Sequence, residues 1–454
     1  MSSHVPDFNP LRPFRGLPRA AKALRLRGTR ALKRLVKNIG WLLGGRGLNA
    51  VLSLVYLAIA TRTLGLASFG HFALILALGQ TVLGLANFQT WQFVVRWGAG
   101  KGGAGEATGF ALALDLLSVA FGIVLSAVLV LTAQYWLPLP PELRWLAFTY
   151  CVVLLLCMRS TPIGLLRLRF AFARATAAEA TQPIVRAIGA AIVATLFPSV
   201  LGFVIVWMIS EVVVAASIWI AAASRERIDF SQISLSRIPR EHSDAWRFAW
   251  STGLTGALNV SSKQILILLV GAIGGETAAG AFRVAAQLGQ GLVQLAQTIS
   301  KAVYPELVHA RDEAVDMARR IANFALVGGV LAVIFAVFFG RWFIHVIAGP
   351  EFRGVYWPLI ILAVAGAIEL VGASFESLLV SAGRAGTAFV VRALPLGLGF
   401  ALLDAAMNWQ GVKGAALIVM FASALAVMGF WVTMLSMRAI RITVEPLPDQ
   451  ERPT

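Results

Sequence analysis

Charge is scarce in this 454-residue chain: only 13% of its residues are Asp, Glu, Lys or Arg, against 58% hydrophobic. A water-soluble protein of that length could not hydrate such a composition, so a soluble enzyme or nucleic-acid binder is excluded. Cysteine is nearly absent. The two present, Cys151 and Cys157, lie six apart in one apolar run, which offers neither a disulfide framework nor metal-ligand spacing. The five histidines show no ligand spacing either, so no metal and no cofactor is expected. Long polar loops are missing as well, the longest internal one being about residues 224–244. Without room for a soluble catalytic domain, and without a GxxxxGK[ST] phosphate loop, the sequence speaks against a membrane glycosyltransferase or an ATP-driven pump. No enzymatic activity is expected.

What the chain does have is apolar length. A hydrocarbon core about 30 Å thick takes roughly 20 apolar residues in a helix. Twelve stretches qualify, near 39–61, 69–95, 107–132, 144–165, 172–196, 199–223, 245–271, 277–300, 318–340, 355–381, 385–404 and 411–437. The expected fold is all-α, a polytopic membrane protein with twelve transmembrane helices. Ala58-Ile59-Ala60 resembles a cleavage site, but the apolar run before it is too long for a signal peptide.

Acid is the rarer sign of charge, 22 residues against 39 basic. Of those 39, the two tails and the even-numbered loops hold 28, the odd-numbered loops five and the spans six. By the positive-inside rule both termini are expected in the cytoplasm. Arg exceeds Lys 32 to 7, a bias of GC-rich genomes that points to a bacterium, and the bacterial cytoplasmic (inner) membrane is the expected location. The first 38 residues carry ten bases and one acid. Within them, residues 20–37 place Leu24, Leu32, Leu35 and Val36 on one helical face and Arg30, Lys33, Arg34 and Lys37 on the other. That pattern suits a basic amphipathic helix on an anionic leaflet.

Residues 41–80 and 251–290 align without a gap at an offset of 210. Leu48-Asn49, Gly65, Gly70, Phe72 and Leu78-Gly79-Gln80 recur as Leu258-Asn259, Gly275, Gly280, Phe282 and Leu288-Gly289-Gln290. Spans 1–2 then correspond to spans 7–8, and the chain reads as two pseudo-symmetric six-helix lobes related by an axis along the membrane normal. The expected organisation is a tail over 1–38, a first lobe over 39–223, a linker over 224–244, a second lobe over 245–437 and a tail over 438–454.

Ionisable residues inside spans are costly, about 2.5–3.5 kcal/mol each at mid-helix, and must pair or face a wet cavity. Span 8 is the most polar: Arg283, Gln287, Gln290, Gln294 and Gln297 recur every three or four residues on one face. Span 7 adds Asn259 and Lys263, span 1 adds Arg46 and Asn49, and span 2 adds Gln80. These groups are expected to converge on a shared cleft between the lobes, with interhelical glue as the competing explanation for single amides. Arg159, Arg186, Arg392, Glu369 and Glu376 are expected as secondary cleft charges, neutralised in part by one another.

The segment Thr61-Arg62-Thr63-Leu64-Gly65-Leu66-Ala67-Ser68-Phe69-Gly70 resembles the "aRxLGxxxfG" stretch after the first span of Wzx-type polysaccharide exporters. Gly274-Gly275-Glu276, Gly280-Ala281-Phe282 and Ala285 are similar to the family's "lGxxxxGxYxxA" segment. Tyr304-Pro305-Glu306-Leu307 resembles its "xPxl" exit from span 8, and Gly349-Pro350-Glu351-Phe352 its "fGxxf" turn. The resemblance spans about residues 38–437 and implies a MATE-like fold, with two lobes around a cleft lined by spans 1, 2, 7 and 8. It also implies a substrate, an undecaprenyl-diphosphate-linked oligosaccharide moved from the cytoplasmic to the periplasmic leaflet for polysaccharide biosynthesis. Partners would be bacterial membrane lipids, a polysaccharide polymerase and a chain-length regulator. On this reading Arg46, Lys263 and Arg283 meet the diphosphate, while Asn49, Gln80, Asn259, Gln287, Gln290 and Gln294 meet sugar hydroxyls. Gly65, Gly70, Gly275 and Gly280 let the turns bend as the lobes rock. Where the family often carries an acid in span 7, this chain reads Lys263-Gln264-Ile265-Leu266, so cation coupling through that acid is not expected. A multidrug antiporter would need an unpaired acid in the cleft, a lipid II flippase usually has further C-terminal spans, and a membrane scaffold would not need the polar stripe.

Overall fold

The computed structural model describes the backbone of residues 17–99, 103–226, 228–307, 314–381 and 384–443. The side chains of residues 1–48 and 294–325 lie outside the described residues, and with them Arg46, Gln294, Gln297 and the faces expected over 20–37. Among the described residues the chain is helical, with no strand. In order come α1 (Leu17–Ala86), α2 (Trp91–Trp97), α3 (Gly103–Trp136), α4 (Pro141–Leu156), α5 (Ser160–Leu168), α6 (Phe172–Glu179), α7 (Thr181–Leu196) and α8 (Val200–Ala223). After a short linker helix, α9 (Arg237–Glu241), follow α10 (Ala245–Leu307), α11 (Ala314–Ile347), α12 (Tyr356–Ser381), α13 (Ala385–Gln410) and α14 (Val412–Thr443).

Nine helices among the described residues are long and apolar enough to cross a membrane. Two of these, Asn49–Trp97 and Ala245–Val293, fold back on themselves at Gly65 (φ +70°) and Gly275 (φ +81°). Only glycine takes that left-handed conformation without a Cβ clash. Tyr56 and Phe72, on opposite arms of α1, both set their rings 5.0 Å from that of Trp207, whereas a straight helix would hold them about 24 Å apart. In α10, a Cβ added at Gly271 would lie 3.2 Å from that of Ala279. Counting each hairpin twice and adding α6 with α7 gives the twelve crossings expected.

The helices before the linker pack mainly on one another, as do those after it, and α1 against α10 forms the main seam. The repeat in sequence is a repeat in space. At one end of the seam a methyl group at Gly70 would lie 2.0 Å from the Glu276 carbonyl oxygen, and one at Gly280 would lie 3.1 Å from the Gly70 Cα. Small residues that let backbones approach are the means by which helices associate in lipid, where no hydrophobic drive separates them from tails. Gly65 and Gly275 therefore make the turns, while Gly70 and Gly280 make the close approach. The same end is tied further: Glu351 accepts the Leu66 backbone N–H at 2.9 Å, Arg62 donates to the carbonyls of His345 and Val346, and Phe69 meets Phe352 edge-on.

Three crossings of the first half are interrupted. The second arm of α1 stops at Ala86 and resumes as α2, the fourth crossing breaks between α4 and α5, and the fifth breaks between α6 and α7. Pro162 and Pro183 stand in the first turns of α5 and α7, where a missing N–H costs nothing and the ring disfavours helix just upstream. The freed backbone groups find partners: the Trp219 indole donates to Met158 O at 2.8 Å, and Trp91 N donates to Ser160 Oγ at 3.0 Å. At the first break Gln89 takes φ +55°, held there by its own N–H donating to Asn87 Oδ1 at 2.7 Å.

The linker is strapped to the first half. Gln232 covers Gly109, whose added Cβ would meet the Gln232 carbonyl at 2.1 Å, and Ile238 is buried beside Phe110 and Leu114. Asp229 accepts the Ser231 hydroxyl and amide, and that hydroxyl bond holds its carboxyl below the ordinary aspartate range.

Candidate functional site

A cavity of about 330 Å³ lies among α10, α12, α13 and α14 of the second half, with Tyr56 of α1 on its seam side, rather than in a cleft lined equally by both halves. Its polar lining is Tyr56 from α1, Ser262, Lys263, Gln264, Arg283, Gln287 and Gln290 from α10, Glu369 and Glu376 from α12, Arg392 from α13 and Ser423 from α14. Lys263 Nζ lies 3.1 Å from Glu369 Oε2, and Glu369 also accepts the Ser423 hydroxyl. Arg392 Nη1 lies 2.6 Å from Glu376 Oε2. Arg283 has no such partner. Among the described residues no carboxylate lies within ion-pair distance of it, and its one hydrogen bond is a long 3.5 Å contact to Gln264 Oε1. Tyr56, Tyr150 and Arg186 stand near it, all from the other side of the seam. The cavity thus holds three bases against two acids, and the surplus resides on Arg283.

Across the seam sits a second charged cluster. Glu211, 1% exposed, is clasped by Arg186 Nη2 at 2.6 Å and Arg159 Nη2 at 2.9 Å. Gln182 Nε2 donates to it at 2.8 Å, and Arg186 Nε donates to Ser210 at 3.0 Å. The Arg186 guanidinium lies over the rings of Trp207 and Tyr56, 5.0 and 5.9 Å from their centroids, a cation–π arrangement that suits the wider, weakly hydrated guanidinium. This cluster too is one positive charge in excess.

A further cavity of about 430 Å³ lies within the first half, lined by the three helix breaks: Asn87, Gln89 and Trp91, then Met158, Arg159 and Ser160, then Glu179 and Gln182, with Asn49 from the first arm of α1. Asp115, buried in its wall, accepts the hydroxyls of Thr90 at 2.7 Å and Thr161 at 2.6 Å, pinning two of the breaks together.

The sequence-derived set is therefore divided. Arg283, Gln287, Gln290 and Lys263 share the seam cavity, and Arg392, Glu369 and Glu376 join them there. Lys263 is neutralised by Glu369 rather than standing free. Asn49 belongs to the first-half cavity, Gln80 lies beside Tyr150, and Asn259 is exposed and lines neither cavity. Arg159 and Arg186 share Glu211 rather than entering the seam cavity as separate charges. Tyr56 and Tyr150 were not singled out by sequence, and Glu211 was read only as one of the ionisable groups within spans that must pair or face a wet cavity. Tyrosine is rare, with five in the chain, and an apolar span holding one was a usable signal.

Among known proteins, the chain is similar over 289 residues, at 27% identity, to inner membrane protein YghQ of Escherichia coli strain K12, covering 61% of this chain and 81% of that protein. In fold it is similar to a multidrug resistance MATE family transporter of the MOP superfamily in an inward-facing conformation, with a TM-score of 0.64, 17% identity, and 87% and 96% of the two chains covered. It is likewise similar to the lipid II flippase MurJ in an inward closed conformation, with a TM-score of 0.66, 11% identity, and 89% and 93% covered. The fold is the one these two structures share. Residues 35–310 match the family described as polysaccharide biosynthesis protein, and because that match covers more than half of the chain, the protein is a multi-pass membrane protein belonging to this family.

Proposed function

We propose that the protein is a flippase that carries an undecaprenyl-diphosphate-linked oligosaccharide from the cytoplasmic to the periplasmic leaflet by rocking of its two lobes. The observation that carries this reading is Arg283, a guanidinium at the seam cavity with no carboxylate partner among the described residues. A diphosphate needs a cation whose charge is not already spent on an acid, and a guanidinium offers it a two-pronged donor. Gln287 and Gln290, one and two turns further along α10, lie where the first sugar would follow. Lys263 and Arg392 add positive charge tempered by their acids, and Arg46 is the contribution expected from the first span. Family membership supports the glycan, and the shared fold supports movement across the membrane. Both termini then lie in the cytoplasm, and the product passes to a polymerase and chain-length regulator on the far side.

A second reading, a multidrug or cation antiporter, draws on the MATE-like fold and on Glu369 and Glu376. Each of those acids already holds a base, so an incoming cation would have to break an ion pair first. In a deletion strain, restoring the wild-type chain should clear accumulated lipid-linked oligosaccharide, and Arg283→Glu should leave it accumulated. Clearance by Arg283→Glu equal to wild type, or no accumulation on deletion, would refute the flippase reading.

A further inference from the structure

The cavity enclosed by the three helix breaks has no part in the reading above, yet its walls are built for a hydroxyl-rich ligand. Interrupted membrane helices are tolerated only where their backbone is buried in protein or lines a wet space. Here three interruptions share one space of about 430 Å³.

Its amides are each fixed by one end. Asn87 spends Oδ1 on the Gln89 N–H, Gln89 spends Oε1 on the Trp91 indole at 3.0 Å, and Gln182 spends Nε2 on Glu211. That leaves Asn87 Nδ2, Gln89 Nε2 and Gln182 Oε1 without a partner among the described residues. Asn49 Oδ1 is buried without a hydrogen-bond partner among the described residues. Pre-oriented donors and acceptors of this kind match sugar hydroxyls, which give and take hydrogen bonds at once. A buried acceptor without a partner costs stability, and its retention at a cavity wall points to a ligand that supplies the missing donor.

The cavity is also in line with the seam site. Asn49 and Tyr56 are seven residues apart on one face of α1, hence about 10 Å along its axis, and Tyr56 lines the seam cavity beside Arg283. Arg159, Glu211 and Arg186 bridge the same gap, with Arg159 in the first-half cavity and Arg186 over Tyr56.

We infer that this cavity is a glycan subsite, which receives the sugars distal to a diphosphate held at Arg283; the inference rests on the flippase reading. Asn49→Leu gives the test, because it removes the unpartnered Oδ1 acceptor and puts an apolar side chain of like size in its place. A purely structural Asn49 would tolerate it. Two probes are titrated against the purified full-length protein: undecaprenyl diphosphate without sugar, and the lipid-linked oligosaccharide extracted from the deletion strain. The expected result is that Asn49→Leu keeps its melting temperature and its Kd for the sugar-free lipid, while its Kd for the glycosylated lipid rises about tenfold, the loss of roughly one good hydrogen bond. Arg283→Ala should weaken both. If Asn49→Leu binds the glycosylated lipid as wild type does, or weakens both probes alike, the subsite is overturned while the Arg283 result still stands for the flippase. If wild type binds neither probe, the flippase reading fails first and the subsite with it.

Discussion

Arg283 differs from the other intramembrane bases in what it lacks. Arg159 and Arg186 share Glu211, Lys263 has Glu369, and Arg392 has Glu376, whereas Arg283 has no carboxylate partner among the described residues and stands near the Gln264 amide, two phenols and the Arg186 guanidinium. A charge in that state is expensive unless a ligand or water completes it. Glu211 is the complementary case, one nearly inaccessible acid serving two guanidiniums. Glu211→Gln would leave both bases without a counter-charge, and breaking such a buried pair costs about 3–5 kcal/mol. The variant should therefore melt well below wild type in detergent. An unchanged melting temperature would show that water already solvates Arg159 and Arg186. Arg283 with Gln287 and Gln290 was legible in the sequence because their spacing lies within one helix. The Glu211 clasp was not, since it joins the fourth, fifth and sixth crossings and no local pattern relates them.

At the scale of the elements, the glycines divide by task. Gly65 and Gly275 turn the two long hairpins with φ of +70° and +81°, while Gly70 and Gly280 let those hairpins touch. The turn glycines and the Gly70–Gly280 correspondence could be read from the 210-residue offset. Their contact could not, because it depends on the two repeats meeting face to face. Gly70→Ala places a methyl group 2.0 Å from a carbonyl oxygen, so the seam must open at that end. Gly291→Ala meets nothing closer than 3.9 Å and serves as the control. We expect Gly70→Ala to lower the melting temperature by several degrees and impair export, with Gly291→Ala near wild type. Equal behaviour would mean that the seam is not packed as described. The helix breaks were only half visible: Pro162 and Pro183 announce two of them, but the third rests on Gln89 in a left-handed conformation, which sequence does not favour.

For the molecule as a whole, the +17 charge and its uneven placement set the expected orientation, and the orientation sets the energetics. Two negative charges moving outward across 100 mV, negative inside, release about 4–5 kcal/mol, provided that Arg283 stays with the protein. Flux of the glycolipid in proteoliposomes should then rise with an imposed inside-negative potential, and flux indifferent to potential would sever transport from that source of energy. The all-helical class, the twelve crossings and the paired hairpins were set by apolar length and by the repeat. The division of the polar groups between two cavities was not, because which face of each helix meets which neighbour is decided by packing across lobes.

The most direct measurement is the transfer of the lipid-linked oligosaccharide between leaflets of proteoliposomes carrying wild type or Arg283→Ala, with both proteins shown to melt alike. A guanidinium at the seam cavity with no carboxylate partner among the described residues predicts transfer by wild type and a rate at least about tenfold lower for the variant, the loss of one charge-assisted contact. Equal rates for the two proteins would contradict it.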